Sequence, residues 1–213
     1  APLGIAVTGT YNGTTSYTNG TGDAVITLTG LVGGDAGKNG VTAAINSANV
    51  SANSTNFVGS ITSSAFTVGN YSLYNTTGSG AARNPTAGDT QNVVTLSKAP
   101  LGINLNATYN GGTTYTSTIK TNGLVGADVT PGVASVTIDN QNVANNASNY
   151  IKTVTGAVGA NDTNLLNNYY ISSSASGTAT TNPPTNNTDN TVTLSAAPLG
   201  IAVTGTYNGT TSY

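Results

Sequence analysis

Residues 1 to 17, APLGIAVTGTYNGTTSY, recur without a change as residues 197 to 213, and a diverged copy, APLGINLNATYNGGTTY, stands at 99 to 115. Both steps are 98 residues, so any fold of this chain must be one that can be laid down repeatedly. Other motifs keep the same step: Asn70-Tyr71 returns as Asn168-Tyr169, and Val94 to Ser97 as Val192 to Ser195. One drifts. Gly30-Leu31-Val32-Gly33-Gly34-Asp35 matches Gly123-Leu124-Val125-Gly126-Ala127-Asp128 at a step of 93, so the second unit is five residues shorter early and regains them later, as loops on a fixed scaffold allow. The first and third copies of the opening segment agree at all 17 positions, the first and second at 11. The order is therefore an alternation: unit A at 1–98, unit B at 99–196, and the start of another A at 197–213, within a super-repeat of 196 residues. The expectation is a window on a longer array, whose last 17 residues lack the partners that would bury their apolar face.

Within a unit the apolar period is two. Leu3, Ile5 and Val7 alternate with Gly4, Ala6 and Thr8, and Leu101, Ile103 and Leu105 repeat the pattern. Ile26 and Leu28, Val136 and Ile138, and Tyr71 and Leu73 do the same, which is the signature of half-buried strands. Asn-Gly pairs at Asn12, Asn19, Asn39, Asn110, Asn122 and Asn208 predict tight turns. Stretches 75–91 and 173–190, rich in Gly, Ser, Thr, Asn and Pro, predict long loops or irregular edge strands. The best helical candidate, Val41 to Val50, is filled with Asn and Ser and has no organising cap. Six to eight short strands per unit without helices predict an all-β fold of tandem immunoglobulin-like β-sandwich domains; the alternative is another small all-β or β-grasp-like repeat module. Short Pro-containing junctions such as Lys98-Ala99-Pro100 predict an extended rod.

Composition narrows the chemistry. Gly, Thr, Asn and Ser fill 114 of 213 positions, while seven Asp face four Lys and one Arg, for a net charge of −2. Such a chain lacks the clustered cations of a nucleic-acid binder, and no apolar run is long enough to span a bilayer as a helix. With no His, Cys, Glu, Met or Trp, nucleophilic triads are impossible, and no catalytic, cofactor or metal residue is assigned. Asp35 and Asp128, equivalent in the two units, read as turn formers through their own side chains. GGDAGK at 33–38 fails as a phosphate loop, because Val32 stands where its first Gly is required and Asn39 where Ser or Thr is. No Asp-x-Asp cluster supplies a calcium site.

Tyr11, Tyr109 and Tyr207, with Tyr17, Tyr115 and Tyr213, recur once per unit. Two readings apply: a stacking platform for sugars, or packing at the same sandwich corner with the hydroxyl bonded to backbone. Asn-x-Ser/Thr triplets begin at Asn12, Asn19, Asn49, Asn53, Asn70, Asn75, Asn106, Asn146, Asn161, Asn186 and Asn208, a number that chance favours in so Asn- and Thr-rich a chain. Lys38, Lys98, Lys120 and Lys152 are candidates for Lys-Asn isopeptide staples, but no Glu is present to catalyse them.

The order Ala-Pro-Leu, Tyr-Asn-Gly-Thr-Thr, Gly-Leu-Val-Gly-Gly-Asp, Asn-Tyr-Ser-Leu, Val-Thr-Leu resembles the YDG-type repeat of large bacterial filamentous-haemagglutinin-like adhesins. The chain departs from that family in carrying Asn12, Asn110 and Asn208 at the usual Asp, and in reading Gly112 for a Thr in its second copy. The resemblance implies a secreted, cell-surface fibre or stalk serving adhesion or biofilm matrix, with no enzymatic activity. Its partners would be neighbouring repeat domains of the same or adjacent chains, and in the alternative reading surface glycans or matrix polysaccharide bound multivalently. If separate chains polymerise, segment 197–213 is the piece that would add as a strand to a neighbour.

Overall fold

The computed structural model describes residues 1–73, 91–116, 119–126, 128, 132–157, 165–172, 190–207 and 209–212, with backbone alone at 132–134, 157 and 165. The predicted loops 75–91 and 173–190 fall almost wholly outside these residues, as do Asn75, Asn161, Asn186, Asn208 and Tyr213. Seven strands run from residue 2 to residue 97: β1 (Pro2–Thr10), β2 (Ser16–Thr18), β3 (Ala24–Thr29), β4 (Val41–Ile45), β5 (Val58–Ser63), β6 (Ser72–Leu73) and β7 (Asn92–Ser97). Seven more follow in the same order: β8 (Ala99–Thr108), β9 (Thr114–Tyr115), β10 (Ile119–Asn122), β11 (Gly132–Ile138), β12 (Ile151–Ala157), β13 (Tyr169–Ile171) and β14 (Asn190–Ser195). Helical structure among the described residues is limited to short 3-10 turns. The helical candidate at 41–50 is instead the strand Val41–Ile45 followed by a loop, because Val41, Ala43 and Ile45 alternate into the core at period two.

The first strand of each half organises its sheet. β1 pairs antiparallel with β3 from Gly4 to Gly9, parallel with β7 from Ile5 to Thr10, and parallel with β6 at Pro2 and Leu3. β8 repeats these pairings with β10, β14 and β13. The second sheet is β2-β4-β5 in the first half and β9-β11-β12 in the second. The two sheets close over a β-sandwich-like core: Leu3, Ile5, Val7, Ile26 and Val94 from one meet Tyr17, Val41, Ala43 and Val58 from the other. Leu101, Ile103, Leu105, Val192, Val136, Ile138 and Ile151 form the second such core. Each fully buried Leu, Ile or Val contributes on the order of 1.5–3 kcal/mol, so the alternating strands hold these halves together.

Buried asparagines complete the fold. Asn92, at the start of β7, donates to Val58 O at 3.0 Å and accepts from Val58 N at 2.7 Å, and its counterpart Asn190 accepts from Ile151 N at 3.0 Å. Asn53 clasps Leu96 in the same two-way fashion, and Asn146 clasps Leu194. Asn56 and Asn149 close the loops before β5 and β12 on Ser47 and Asn140. A carboxamide carries the same donor and acceptor as a peptide group, so it extends a ladder where the backbone cannot reach. A carboxylate cannot, which gives the Asn-rich composition a structural reason.

Candidate functional site at the joint between the halves

The recurring Tyr-Asn-Gly motif forms an Asx turn at the end of β1. Asn12 Oδ1 accepts from Thr14 N at 2.9 Å and Thr14 Oγ1 at 3.0 Å, while its amide donates to Ser16 O at 3.1 Å. Asn110 repeats this with Gly112 N and Thr114 O. The amide donation needs Asn, since Asp has no proton to give. The turn carries Gly13 and Gly111 at φ +73° and +82°.

Two further motifs, distant in sequence, form one latch. In the first half Tyr71 hydroxyl donates to Asp35 Oδ2 at 3.0 Å and accepts from Val32 N at 3.3 Å. Tyr169 hydroxyl does the same with Asp128 Oδ2, at 2.6 Å, and Val125 N, at 3.1 Å. Asp35 thus bonds a tyrosine and, through Oδ1, the Lys38 ammonium at 2.9 Å, rather than closing its own turn with its side chain. The Lys38 hydrogen bond, followed by that of Tyr71, holds the Asp35 carboxyl below its ordinary range. Asp128 has no such lysine: Pro131 stands at the equivalent spacing. Its second partner comes from the other half of the molecule.

That partner is Tyr11. Its hydroxyl donates to Asp128 Oδ2 at 2.6 Å, and its ring meets Tyr169 edge to face, with centroids 5.2 Å apart at 80°. Only 5% exposed, Tyr11 packs within the second core although it directly follows the first strand of the chain. Beside it the Asn12-Gly13 turn lies backbone to backbone on Val125-Gly126. A Cβ on Gly13 would fall 2.5 Å from Val125 O, and one on Gly126 would fall 2.6 Å from Asn12 O. Asn168, fully buried, donates to Asn49 Oδ1 at 2.9 Å and accepts from Val50 N at 2.8 Å. Lys98 Nζ reaches back to the Leu166 carbonyl. The joint is therefore a partly buried contact whose tyrosine hydrogen bonds go to a carboxylate, the stronger kind.

The remaining sequence candidates are placed elsewhere. Tyr17 and Tyr115 are buried, with Tyr17 hydroxyl donating to Thr10 O at 3.3 Å and Tyr115 hydroxyl without a partner among the described residues. With Tyr11 they offer no open face to a sugar ring; Tyr207 is 87% exposed. Lys38 and Lys152 face Asp35 and Asp139, and Lys98 a backbone carbonyl, rather than an Asn carboxamide. Among the described residues, no group of three acidic, His or Cys side chains gathers to hold a metal. Of the described glycosylation triplets, only Asn70 and Asn106 are exposed. Segment 197–207 is exposed and forms no strand, with Leu199 at 84% and Ile201 at 78%. Sequence reading missed the latch, though the signal was present: Asp35 and Tyr71 recur together as Asp128 and Tyr169. Comparison with protein-family models, curated proteins and solved structures gives no match for this chain.

Proposed function

We propose that the chain is a structural segment, the shaft of a secreted bacterial surface adhesin or extracellular filament, built from tandem immunoglobulin-like units in a rod. The observation that carries this reading is the Tyr11–Asp128–Tyr169 joint. It is assembled from motifs that recur in each unit, so one unit's turn fits the next unit's latch. The function is reach: each unit adds length, and a joint that fixes the angle between units keeps the shaft from collapsing. A surface of Thr, Asn and Ser with little charge suits such a role, because few titrating groups make its contacts depend on pH. The parallel pairing of the first and last strands of each half accords with an immunoglobulin-like topology, and the secreted setting rests on the motif resemblance. Target binding would reside in other parts of the filament.

Small-angle scattering of the 213-residue chain tests the rod. A compact globule of this length has a radius of gyration of about 17 Å. We expect a clearly larger value and a two-lobed distance distribution. A value at the compact limit with a single-peaked distribution would refute the shaft.

A further inference from the structure

The joint has two sides, and each half carries both. Tyr11, Gly13 and Asn49 form the donor side on the first half; their counterparts on the second are Tyr109, Gly111 and Asn142. The acceptor side, Gly126, Asp128 and Asn168, has its counterparts in Gly33, Asp35 and Asn70. Among the described residues, one donor side meets one acceptor side, and the sides carried by Tyr109 and Asp35 do not meet each other.

The unused sides are shaped as the used ones are. Gly111 keeps the positive φ of Gly13 and Gly33 that of Gly126, at +60° and +62° for the latter pair. Where Gly13 and Gly126 touch each other's backbone, an added Cβ on Gly111 or on Gly33 would meet nothing within 4 Å. Val32, equivalent to the half-buried Val125, is 59% exposed. Tyr109 hydroxyl makes no hydrogen bond to a described residue, whereas that of Tyr11 is buried on Asp128. Asp35 already accepts Tyr71 on Oδ2, the same oxygen on which Asp128 receives both tyrosines.

We propose that a second copy of this chain docks head to tail through these faces, with the Tyr109–Gly111 turn of one copy seated on the Gly33–Asp35 latch of the next. Asn142 then meets Asn70 as Asn49 meets Asn168. The contact is heterologous, so it propagates as an open filament rather than closing a two-fold dimer. The described residues of segment 197–212 are exposed and form no strand. The proposal rests on the reading of the chain as a shaft and names the shaft's partner: another unit of the same kind, in a neighbouring chain.

Sedimentation of the intact chain over rising concentration, combined with photo-oxidative tyrosine coupling and peptide mass spectrometry, tests it. Tyr11–Tyr169 coupling inside one chain reports the built joint. Tyr109–Tyr71 coupling between isotopically distinct chains reports the proposed one. We expect both, with association weakened about tenfold in Tyr109→Phe, the effect of losing a hydrogen bond to a carboxylate. Tyr11–Tyr169 coupling without any inter-chain Tyr109–Tyr71 product would overturn the proposal and leave the shaft standing. Association unchanged in Tyr109→Phe would also overturn it. Absence of both couplings would remove the joint itself, and the shaft reading with it.

Discussion

Asn92 shows how much one side chain decides here. Fully buried, it serves both the N–H and the C=O of Val58. Asn92→Asp keeps the shape but loses the donor and buries a carboxylate, and we expect a loss of about 3 kcal/mol in urea unfolding. Tyr115 is the opposite case, because its buried hydroxyl has no partner among the described residues. Tyr115→Phe should therefore be neutral or stabilising by up to about 1 kcal/mol, while Tyr17→Phe, which removes the bond to Thr10, should cost about that much. Burial pushes the Tyr17 phenol up to about 12, with the Asp23 charge adding to it and a backbone hydrogen bond from Asn12 opposing it. A raised folded value stabilises the protein fully below the unfolded value near 10.0, and that contribution is lost as pH rises toward about 12. The stability of Tyr17→Phe should fall less steeply than that of the parent chain across this window. Asp35 works at the other end of the scale. Its lowered value means that the ionised latch stabilises above the unfolded value of 3.8 and is lost as pH falls through the folded one. Asp35→Asn should flatten that part of the acid limb.

The same 17 residues occupy two states in one molecule. At 1–17 they give β1 and β2, with Leu3 and Val7 at 0% and 1% exposure; at 197–213 the described residues are exposed and form no strand. Local propensity is identical, so pairing with β3, β6 and β7 makes the strand. Hydrogen exchange should show it: amides from Gly4 to Gly9 slow, those of the identical residues Gly200 to Gly205 fast. The strands were legible in the sequence because Leu3-Ile5-Val7 and Ile26-Leu28 alternate at period two, and that pattern survives any context. Tyr71 was not, since its alternation with Leu73 suggested a strand residue while its hydroxyl spans 36 positions to Asp35. The asparagine clasps were hidden for a related reason. Asn in a Gly- and Thr-rich stretch carries the signature of a turn, and only its three-dimensional partner shows whether it is buried.

For the whole molecule, the repeat step was readable, and the joint was not. Its parts lie in segments that each have a local explanation: Tyr11-Asn12-Gly13 as a turn, Val125 to Asp128 as another, Asn168-Tyr169 as the edge of a strand. What the periodicity could not give is that the turn of one unit presses on the latch of the next. Tyr11→Phe should leave each core intact, since it keeps the ring against Tyr169 and removes only the hydroxyl bonded to Asp128, yet loosen the halves from each other. Residual dipolar couplings measured on the intact chain test this most directly. If the joint fixes the halves, couplings from β1, β3 and β4 and from β8, β10 and β11 fit one common alignment tensor, and Tyr11→Phe splits it in two. Two tensors of different magnitude in the parent chain would mean that the halves tumble independently, which contradicts a joint that sets the direction of the shaft.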